Sequence, residues 1–157
     1  MAAALIWLGT GGAAPADDGA DVGAVRAAGR GVTVRVAVTA LRNHDGVVMA
    51  CMTTNEGLFP RCRGDTASYR ANVPAGSAPE TVTITFTDVR PGTYAIALLH
   101  DENGNGKADR AISMIPREGY GFSNDAPVRM GPPKFDAAAF TVGAQPVRQT
   151  IRMRYML

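Results

Sequence analysis

Residues 81–87 alternate strictly between threonine and an apolar side chain, in the order TVTITFT. A period of two residues is typical of a β-strand, because successive side chains of a strand point to opposite faces of its sheet. The same alternation occurs over 32–40 and again over 147–155, near the other end of the chain. Since no segment has a helical period long enough for a βαβ unit, the sequence predicts an all-β fold.

The segments between these strands are rich in glycine and proline, of which the chain has 18 and 10. Turn signals at 43–46, 88–92 and 143–146 predict that the chain reverses direction at each. We expect the first to close a hairpin, the second to precede a returning strand and the third to join a final strand pair. Short strands at this spacing are typical of an antiparallel β-sandwich. Seven strands are predicted, at 32–40, 47–53, 81–87, 93–100, 111–115, 139–142 and 147–155, and a short helical turn fits 65–71 within the irregular segment 54–79.

The start of the chain resembles a secretory signal. An apolar run at 2–9 is followed by small residues and an A-x-A-like site at Ala14–Ala16. No Lys or Arg precedes the run, so an Ala/Gly-rich tail is the alternative interpretation. The run is far shorter than the ~20 apolar residues that span a bilayer, and no later segment approaches that length. We therefore expect a signal peptide at 1–16, a flexible linker at 17–30, one domain at 31–157, and a periplasmic or secreted protein with no membrane span.

The chain has two cysteines, Cys51 and Cys62. In an exported protein an even pair is most simply a disulfide, here closing the loop 52–61. In the chain-entropy model such a short loop contributes about 2–3 kcal/mol. Two reduced thiols are the alternative, and zinc is disfavoured because neither His44 nor His100 has ligand spacing with the cysteines.

Oxygen-bearing side chains recur at alternate positions over 100–109, HDENGNGKAD. Counting Asp101 as position 1, this is the spacing of the first half of a calcium loop, with Gly106 allowing the sharp bend at position 6. Position 12 is Ile112 instead of the bidentate Glu of an EF-hand. We expect a calcium loop between two strands, completed by a carboxylate from elsewhere such as Asp125 or Glu118. The candidate calcium ligands are Asp101, Asn103, Asn105, the backbone carbonyl of Lys107, and Asp109.

With two carboxylates in this loop, calcium affinity would be weak, at about 10⁻⁴–10⁻³ M as in extracellular modules. The alternative interpretation needs no ion. Asp and Asn side chains often hydrogen-bond their own backbone and tolerate positive φ. The two interpretations stay open at the level of sequence.

A second long segment, 116–136, has no clear period but contains aromatic side chains. Loops longer than ~12–15 residues are uncommon unless they are functional or disordered. We consider a hydrophobic plug that caps the end of the sandwich, and a ligand pocket. His100, at the end of its strand, is expected to hydrogen-bond one of the two loops. The candidate ligand contacts are His100, Tyr120, Phe122, Ser123 and Asn124.

No catalytic constellation is evident. His100 and Asp101 are adjacent on a predicted strand and so point to opposite faces, and no G-x-S-x-G sequence surrounds Ser123. The formal net charge is only +2, which argues against a nucleic-acid partner. A row of arginines on the last predicted strand fits a charged sheet edge or, alternatively, an anionic ligand. These arginines are Arg148, Arg152 and Arg154.

Several long motifs occur in a characteristic order: TFTDVRPGTYAIALLHD at 85–101, HDENGNGKAD at 100–109, IPREGYGFSNDA at 115–126 and GPPKFDAAAFTV at 131–142. Together they resemble the bacterial family called domain of unknown function 2141. The first motif is also similar to turns of carboxypeptidase-regulatory-like and prealbumin-like sandwiches. The resemblance covers about 32–155 and implies an exported single-domain β-sandwich, with no activity established for the family.

We therefore expect an exported, non-enzymatic β-sandwich module with a possible calcium-stabilised loop. Its expected role is that of a binding or envelope accessory protein, and its partner a glycan, a peptide or an envelope component. The alternatives are a purely structural domain without a small ligand, and a hydrolase that uses the loops at 100–125.

Overall fold

β-strands predominate in the structure, a computed structural model that describes residues 31–106 and 117–156. The described residues also contain one four-residue helix and two short 3-10 turns, at Ala75–Ser77 and Ser123–Asp125. The strands and the helix, in chain order, are β1 Val32–Thr39, β2 Val47–Thr53, β3 Tyr69–Pro74, β4 Val82–Val89, β5 Gly92–Asp101, β6 Gly119–Phe122, α1 Phe135–Ala138, β7 Phe140–Val142 and β8 Val147–Arg152.

The strands form two sheets. One has three strands in the order β4-β1-β8, and the other has the order β3-β2-β5-β6, with β7 paired to the start of β5. All pairings are antiparallel except that of β1 with β8, which is parallel. Apolar residues of both sheets form one core, as their period-two alternation predicts. Fully buried examples are Val34, Val36, Val38, Val48, Met52, Ile84, Ile96 and Ile151.

The all-β prediction is confirmed, but the described residues form eight strands where seven were predicted. Strands β3 and β6 lie in segments whose sequence has no clear period. At 65–71 there is a turn around Asp65, whose carboxylate and carbonyl accept backbone N–H groups, and then the start of β3 instead of a helical turn. The strand predicted at 111–115 lies outside the described residues.

The hairpin predicted at the first turn and the strand pair predicted at the third are wrong, and the strands on either side of the second turn are not paired with each other either. The turns at 43–46 and 90–91 each connect strands of different sheets, because β1 and β4 pair with each other while β2 and β5 pair with each other. Similarly, β7 pairs with β5 while β8 pairs with β1. Turn residues specify a change of direction, but the burial of alternating side chains decides which sheet receives the next strand.

At Gly46, in the turn that connects β1 to β2 of the other sheet, two backbone segments lie very close together. The φ of Gly46 is +66°, a left-handed conformation that glycine adopts without strain. A Cβ at this position would lie 2.0 Å from the carbonyl oxygen of Asp101. The close approach of the two backbones therefore requires glycine here.

A second hydrophobic cluster covers part of the outer face of the five-stranded sheet. It contains Ala95 of β5 and Phe122 of β6, packed against Phe135 of α1 and the half-buried Phe59. The ring of Phe59 makes edge-to-face contacts with Phe122 and Phe135, with both centroid distances 5.8 Å. The aromatic residues of 116–136 thus pack on a sheet face, whereas the plug interpretation placed them at the end of the sandwich.

The predicted disulfide between Cys51 and Cys62 is present. Cys51 lies opposite Ala97 in the β2–β5 ladder, on the outer face of the five-stranded sheet. Because Phe59 lies between the two cysteines in sequence, the bond ties the segment that carries this ring to β2. The disulfide therefore holds part of the cover of the second cluster in place.

The outer face of the three-stranded sheet is polar. Arg35 of β1 and Arg148 and Arg152 of β8 are exposed there, among threonines. Arg154 does not belong to this row, since it lies beyond β8 and forms an ion pair with Asp125 at 2.7 Å. The remaining outward-facing positions are Thr33, Ala37, Thr39, Thr83, Thr85, Thr87 and Thr150.

Candidate functional site

His100 lies at the end of β5 and is completely buried. Its Nε2 is 2.8 Å from the backbone carbonyl oxygen of Asp45, and its Nδ1 is 2.8 Å from the Tyr155 hydroxyl oxygen. A carbonyl only accepts hydrogen bonds, so Nε2 donates; in a neutral imidazole Nδ1 then accepts from Tyr155. The Tyr155 oxygen in turn accepts the backbone N–H of Arg42 at 3.2 Å. This chain of bonds uses both ring nitrogens of His100.

The partners of His100 differ from those expected. Neither the 101–109 loop nor the 116–136 segment contributes them; they come from the 43–46 turn and from the C-terminal segment. Burial raises the pKa of the Tyr155 phenol. No local pattern around His100 points to Tyr155, because the two residues are brought together only by the pairing of the last strand.

An ion pair between Arg42 and Glu102 lies beside this chain of bonds. Arg42 Nε donates to Glu102 Oε1 at 2.8 Å, and the Asn43 amide also donates to that oxygen. The Arg42 guanidinium donates to the carbonyl of Arg117 at 3.0 Å and lies 4.6 Å from the centre of the Tyr155 ring. The hydrogen bond from Arg42 is the main cause of a lowered pKa of Glu102, and it raises the pKa of Arg42.

These groups line an open cleft of about 260 Å³. Its lining contains both cationic and anionic side chains, of which Arg42 and Glu102 form a hydrogen-bonded ion pair. Such a cleft suits a small polar ligand that carries both donors and acceptors. The lining residues are Arg42, Glu102, Asn103, Arg117 and Glu118.

The described part of the predicted calcium loop is closed by its own hydrogen bonds. Asp101 is buried, and its two carboxylate oxygens accept the backbone N–H groups of Asn105 at 3.1 Å and Gly106 at 2.7 Å. The side-chain oxygen of Asn103 accepts the N–H of Asn105 at 3.0 Å. These are the hydrogen bonds that we expect if the loop is closed by its own side chains and needs no ion. The other two predicted ligands, Lys107 and Asp109, lie outside the described residues.

Neither carboxylate suggested to complete the calcium site lies free beside the loop. Asp125 accepts from the Arg154 guanidinium, and Glu118 is buried and lines the cleft described above. Over residues 31–106 and 117–156, no group of three or more His, Cys, Asp or Glu side chains could hold a metal ion.

Ser123 is fully buried and its hydroxyl is used by the fold. Its Oγ accepts the backbone N–H of Ile96 at 2.8 Å and donates to the carbonyl of Ala138 at 2.5 Å. The side-chain amide of the neighbouring Asn124 donates to the carbonyl of Ala139 at 2.7 Å. Both predicted ligand contacts therefore fasten the end of β6 to the segment around α1.

The five predicted ligand contacts do not form one site. His100 pairs with the core residue Val48 and so is on the inner face of the five-stranded sheet, whereas Tyr120 and Phe122 are on its outer face. Phe122 is buried in the second cluster, and Tyr120 is half-buried beside it at a ring-centroid distance of 6.2 Å. Burial raises the pKa of the Tyr120 phenol. Of the five, Tyr120 and Asn124 retain exposed surface.

The glycines around Tyr120 allow β6 to approach the C-terminal part of the chain. A Cβ on Gly119 would lie 2.4 Å from the Tyr155 ring, and one on Gly121 would lie 2.7 Å from a methyl of Ile151. The two glycines of the G-Y-G sequence therefore allow a close contact of β6 with Ile151 of β8 and with Tyr155. Only the three-dimensional contact explains why both positions need glycine.

A second open cleft of about 260 Å³ lies over the second hydrophobic cluster. The rings of Phe59 and Phe135 line it together with charged side chains. It is therefore an apolar depression with a charged rim, at the margin of the disulfide-bonded segment. The charged residues are Glu56, Lys134 and Asp136.

The fold and its sites define a two-sheet β protein whose polar residues of interest are largely committed to internal hydrogen bonds. A family model described as an uncharacterized protein conserved in bacteria, domain of unknown function 2141, matches residues 36–150. The chain belongs to this family, as its motifs indicate. Neither the curated proteins nor the solved structures searched contain a match to it. None of the helices in the described residues is long and apolar enough to cross a membrane.

Proposed function

We propose that the protein is an exported, non-catalytic module that acts as a binding or accessory protein of the bacterial envelope, in the periplasm or outside the cell. Its sandwich would be of the prealbumin-like or carboxypeptidase-regulatory-like type. The observation that carries the proposal is the Cys51–Cys62 disulfide, because such bonds persist in oxidising compartments and are rare in the cytosol. The secretory pattern of the first residues supports the same compartment.

The non-catalytic part of the proposal is supported by the commitment of the nucleophile and base candidates. A hydrolase needs a nucleophile within hydrogen-bond reach of a base and access to its substrate. The Ser123 hydroxyl is buried between Ile96 and Ala138, and both nitrogens of His100 are occupied. These are the groups on which a hydrolase using the loops at 100–125 would depend.

A compartment experiment tests the export proposal. The full chain is expressed in a bacterium, cells are fractionated, and the intact mass is measured with and without reduction. We expect an extracytoplasmic protein that begins at Asp17 and whose mass rises by two hydrogens on reduction. The Cys51→Ser/Cys62→Ser variant is the matched control, since it keeps the secretory pattern and loses the bond. A reduced protein found in the cytoplasm at full length would contradict the proposal.

A binding role and a purely structural role differ at Tyr120. This ring keeps exposed surface beside the buried Phe122, so Tyr120→Ser removes a surface aromatic with little loss of core packing. For a binder of envelope glycan we expect sedimentation of the folded protein with purified peptidoglycan sacculi, weakened in the Tyr120→Ser variant. Wild-type protein that fails to sediment favours the structural role or a different ligand class.

Calcium binding by the loop after β5 is the second candidate. It is supported by the spacing of Asp101, Asn103 and Asn105, which is that of the first half of a calcium loop. Each carboxylate oxygen of Asp101 accepts one backbone N–H group. Each carboxylate oxygen has a further lone pair with which to ligate an ion. We expect a rise in melting temperature at millimolar calcium, which Asp109→Asn diminishes. The absence of any calcium-dependent rise would leave the self-closed loop as the explanation of the motif.

A further inference from the structure

The outer face of the three-stranded sheet concentrates positive charge. Arg35 on β1 and Arg148 and Arg152 on β8 are exposed on it, and threonines such as Thr85 and Thr150 occupy positions between and beside them. In the described residues, no outward-facing position of β1, of β8 or of the part of β4 that ends at Thr87 is occupied by Asp or Glu. The face is therefore cationic although the net charge of the chain is only +2.

Two of these arginines are direct neighbours. Arg35 and Arg148 are register partners in the parallel β1–β8 ladder, so their backbones are about 5 Å apart. Arg152 follows Arg148 by four residues on the same strand, about 13 Å away. Like charges at paired positions destabilise a sheet, and at physiological salt these charges lie within about one to two Debye lengths of ~8 Å.

The nearby carboxylates have other partners. Asp88, at the bulge that ends β4, accepts the backbone N–H of Gly31 at 2.8 Å. Asp125, at the β8 edge, accepts from the Arg154 guanidinium at 2.7 Å and from the backbone N–H of Arg152 at 3.3 Å. Among residues 31–106 and 117–156 the ion pairs are Arg42–Glu102 and Arg154–Asp125, and neither neutralises an arginine of this face.

We propose that this Arg/Thr face docks on an anionic lipid surface, with headgroup phosphates bridging Arg35, Arg148 and Arg152. Guanidinium groups bind phosphate oxygens in pairs, and hydroxyls of neighbouring threonines can donate to the same oxygens. The outward positions provide no aromatic side chain on which a sugar ring could stack. An open sheet face with spaced cations instead matches a planar array of phosphates, which relieves the repulsion within the face.

The inference extends the proposed envelope role but is tested independently of export, with the purified full chain. Sedimentation is measured with phosphatidylglycerol/phosphatidylcholine vesicles and with pure phosphatidylcholine vesicles. Each basic residue near an anionic surface contributes about fivefold to binding, so the Arg35→Gln/Arg148→Gln/Arg152→Gln variant should bind the anionic vesicles about 10²-fold more weakly. An ionic strength of about 1 M, where the Debye length is ~3 Å, should abolish wild-type binding.

The matched control removes the same charge from the opposite side of the molecule. Arg61, Arg63 and Arg129 are exposed in the segments next to the second hydrophobic cluster, and their triple replacement by Gln should change vesicle binding by less than about threefold. Equal losses in the two triple variants would show an effect of net charge alone and overturn the proposal. The proposal is also overturned if the wild-type protein does not bind anionic vesicles at low salt, or if it binds soluble polyphosphate but not vesicles.

A stability measurement separates docking from a structural role. Since Arg35 faces Arg148 without a counter-charge, Arg35→Gln should keep or raise the thermal unfolding midpoint while it weakens vesicle binding. If these arginines served only the fold, the same substitution would lower the midpoint and leave vesicle binding unchanged. A lowered midpoint with unchanged binding therefore also refutes the proposal.

Discussion

The Ser123→Ala substitution tests how far the end of β6 depends on one buried hydroxyl. Ser123 Oγ accepts the N–H of Ile96 and donates to the carbonyl of Ala138, and the residue has no exposed surface. The substitution leaves a buried N–H without its partner, at a cost of about 1–3 kcal/mol, and removes a further hydrogen bond worth about 0.5–1.5 kcal/mol. We therefore expect a loss of about 2–4 kcal/mol in the free energy of unfolding, a large part of the ~5–15 kcal/mol of a typical domain.

Urea unfolding followed by circular dichroism measures this loss. With a slope of about 2 kcal/mol per molar urea, the middle of the usual range, the unfolding midpoint should fall by about 1–2 M with the slope unchanged. Ser77→Ala is the control, because Ser77 is exposed in the 3-10 turn after β3, and its midpoint should stay within about 0.3 M of the wild type. If Ser123→Ala behaves like this control, the hydroxyl is not needed for the fold and the case for a ligand or catalytic role at Ser123 reopens.

Three further outcomes are expected. Phe122→Ala should lower the free energy of unfolding by about 3–5 kcal/mol, because the Phe122 ring is buried in the second cluster. Tyr120→Ser, measured in the same urea assay, should lower it clearly less. Equal losses would contradict the assigned burial. Gly119→Ala places a Cβ within 2.4 Å of the Tyr155 ring and should destabilise by about 1–3 kcal/mol, an effect that Tyr155→Ala should suppress in a double-mutant cycle. Because the pKa of Glu102 is lowered, its pairing with Arg42 stabilises the fold at pH values above the ordinary Glu range, and this contribution is lost as the pH falls through the lowered pKa. Glu102→Gln should therefore make the melting temperature depend less on pH below about pH 4. An unchanged pH dependence in this range would refute the assignment.

Strand positions with strong alternation were predictable because burial on one face leaves a period of two in the sequence. β1, β4 and β5 are examples, and their inward residues fill the core. β3 was missed because it is an edge strand whose inward side chains are only half-buried. β6 was missed because two of its four residues are glycines, selected by contacts with Tyr155 and Ile151 that have no local signature.

The sequence was sufficient to single out several residues of the candidate site, but it did not decide what each of them does. The alternating Asp and Asn residues after β5 do mark a special loop, yet the sequence alone does not decide between ion ligation and bonding to the loop's own backbone. The disulfide was predictable from the count of two cysteines. The Arg42–Glu102 pair and the Tyr155–His100 bond join residues about 60 and 55 positions apart, a separation over which a single sequence carries no pairing information.

Successive strands of this chain often belong to different sheets, and this has a consequence for how the chain folds. β1 is completed only by β4 on one side and by β8 on the other, and Ile151 of β8 fills a fully buried core position. The first and last strands must therefore meet before the smaller sheet exists. Such non-local pairing gives a high contact order and slow folding, typically milliseconds to seconds. During synthesis the core accordingly stays incomplete until β8 has been made, because the buried Ile151 is supplied only by that strand.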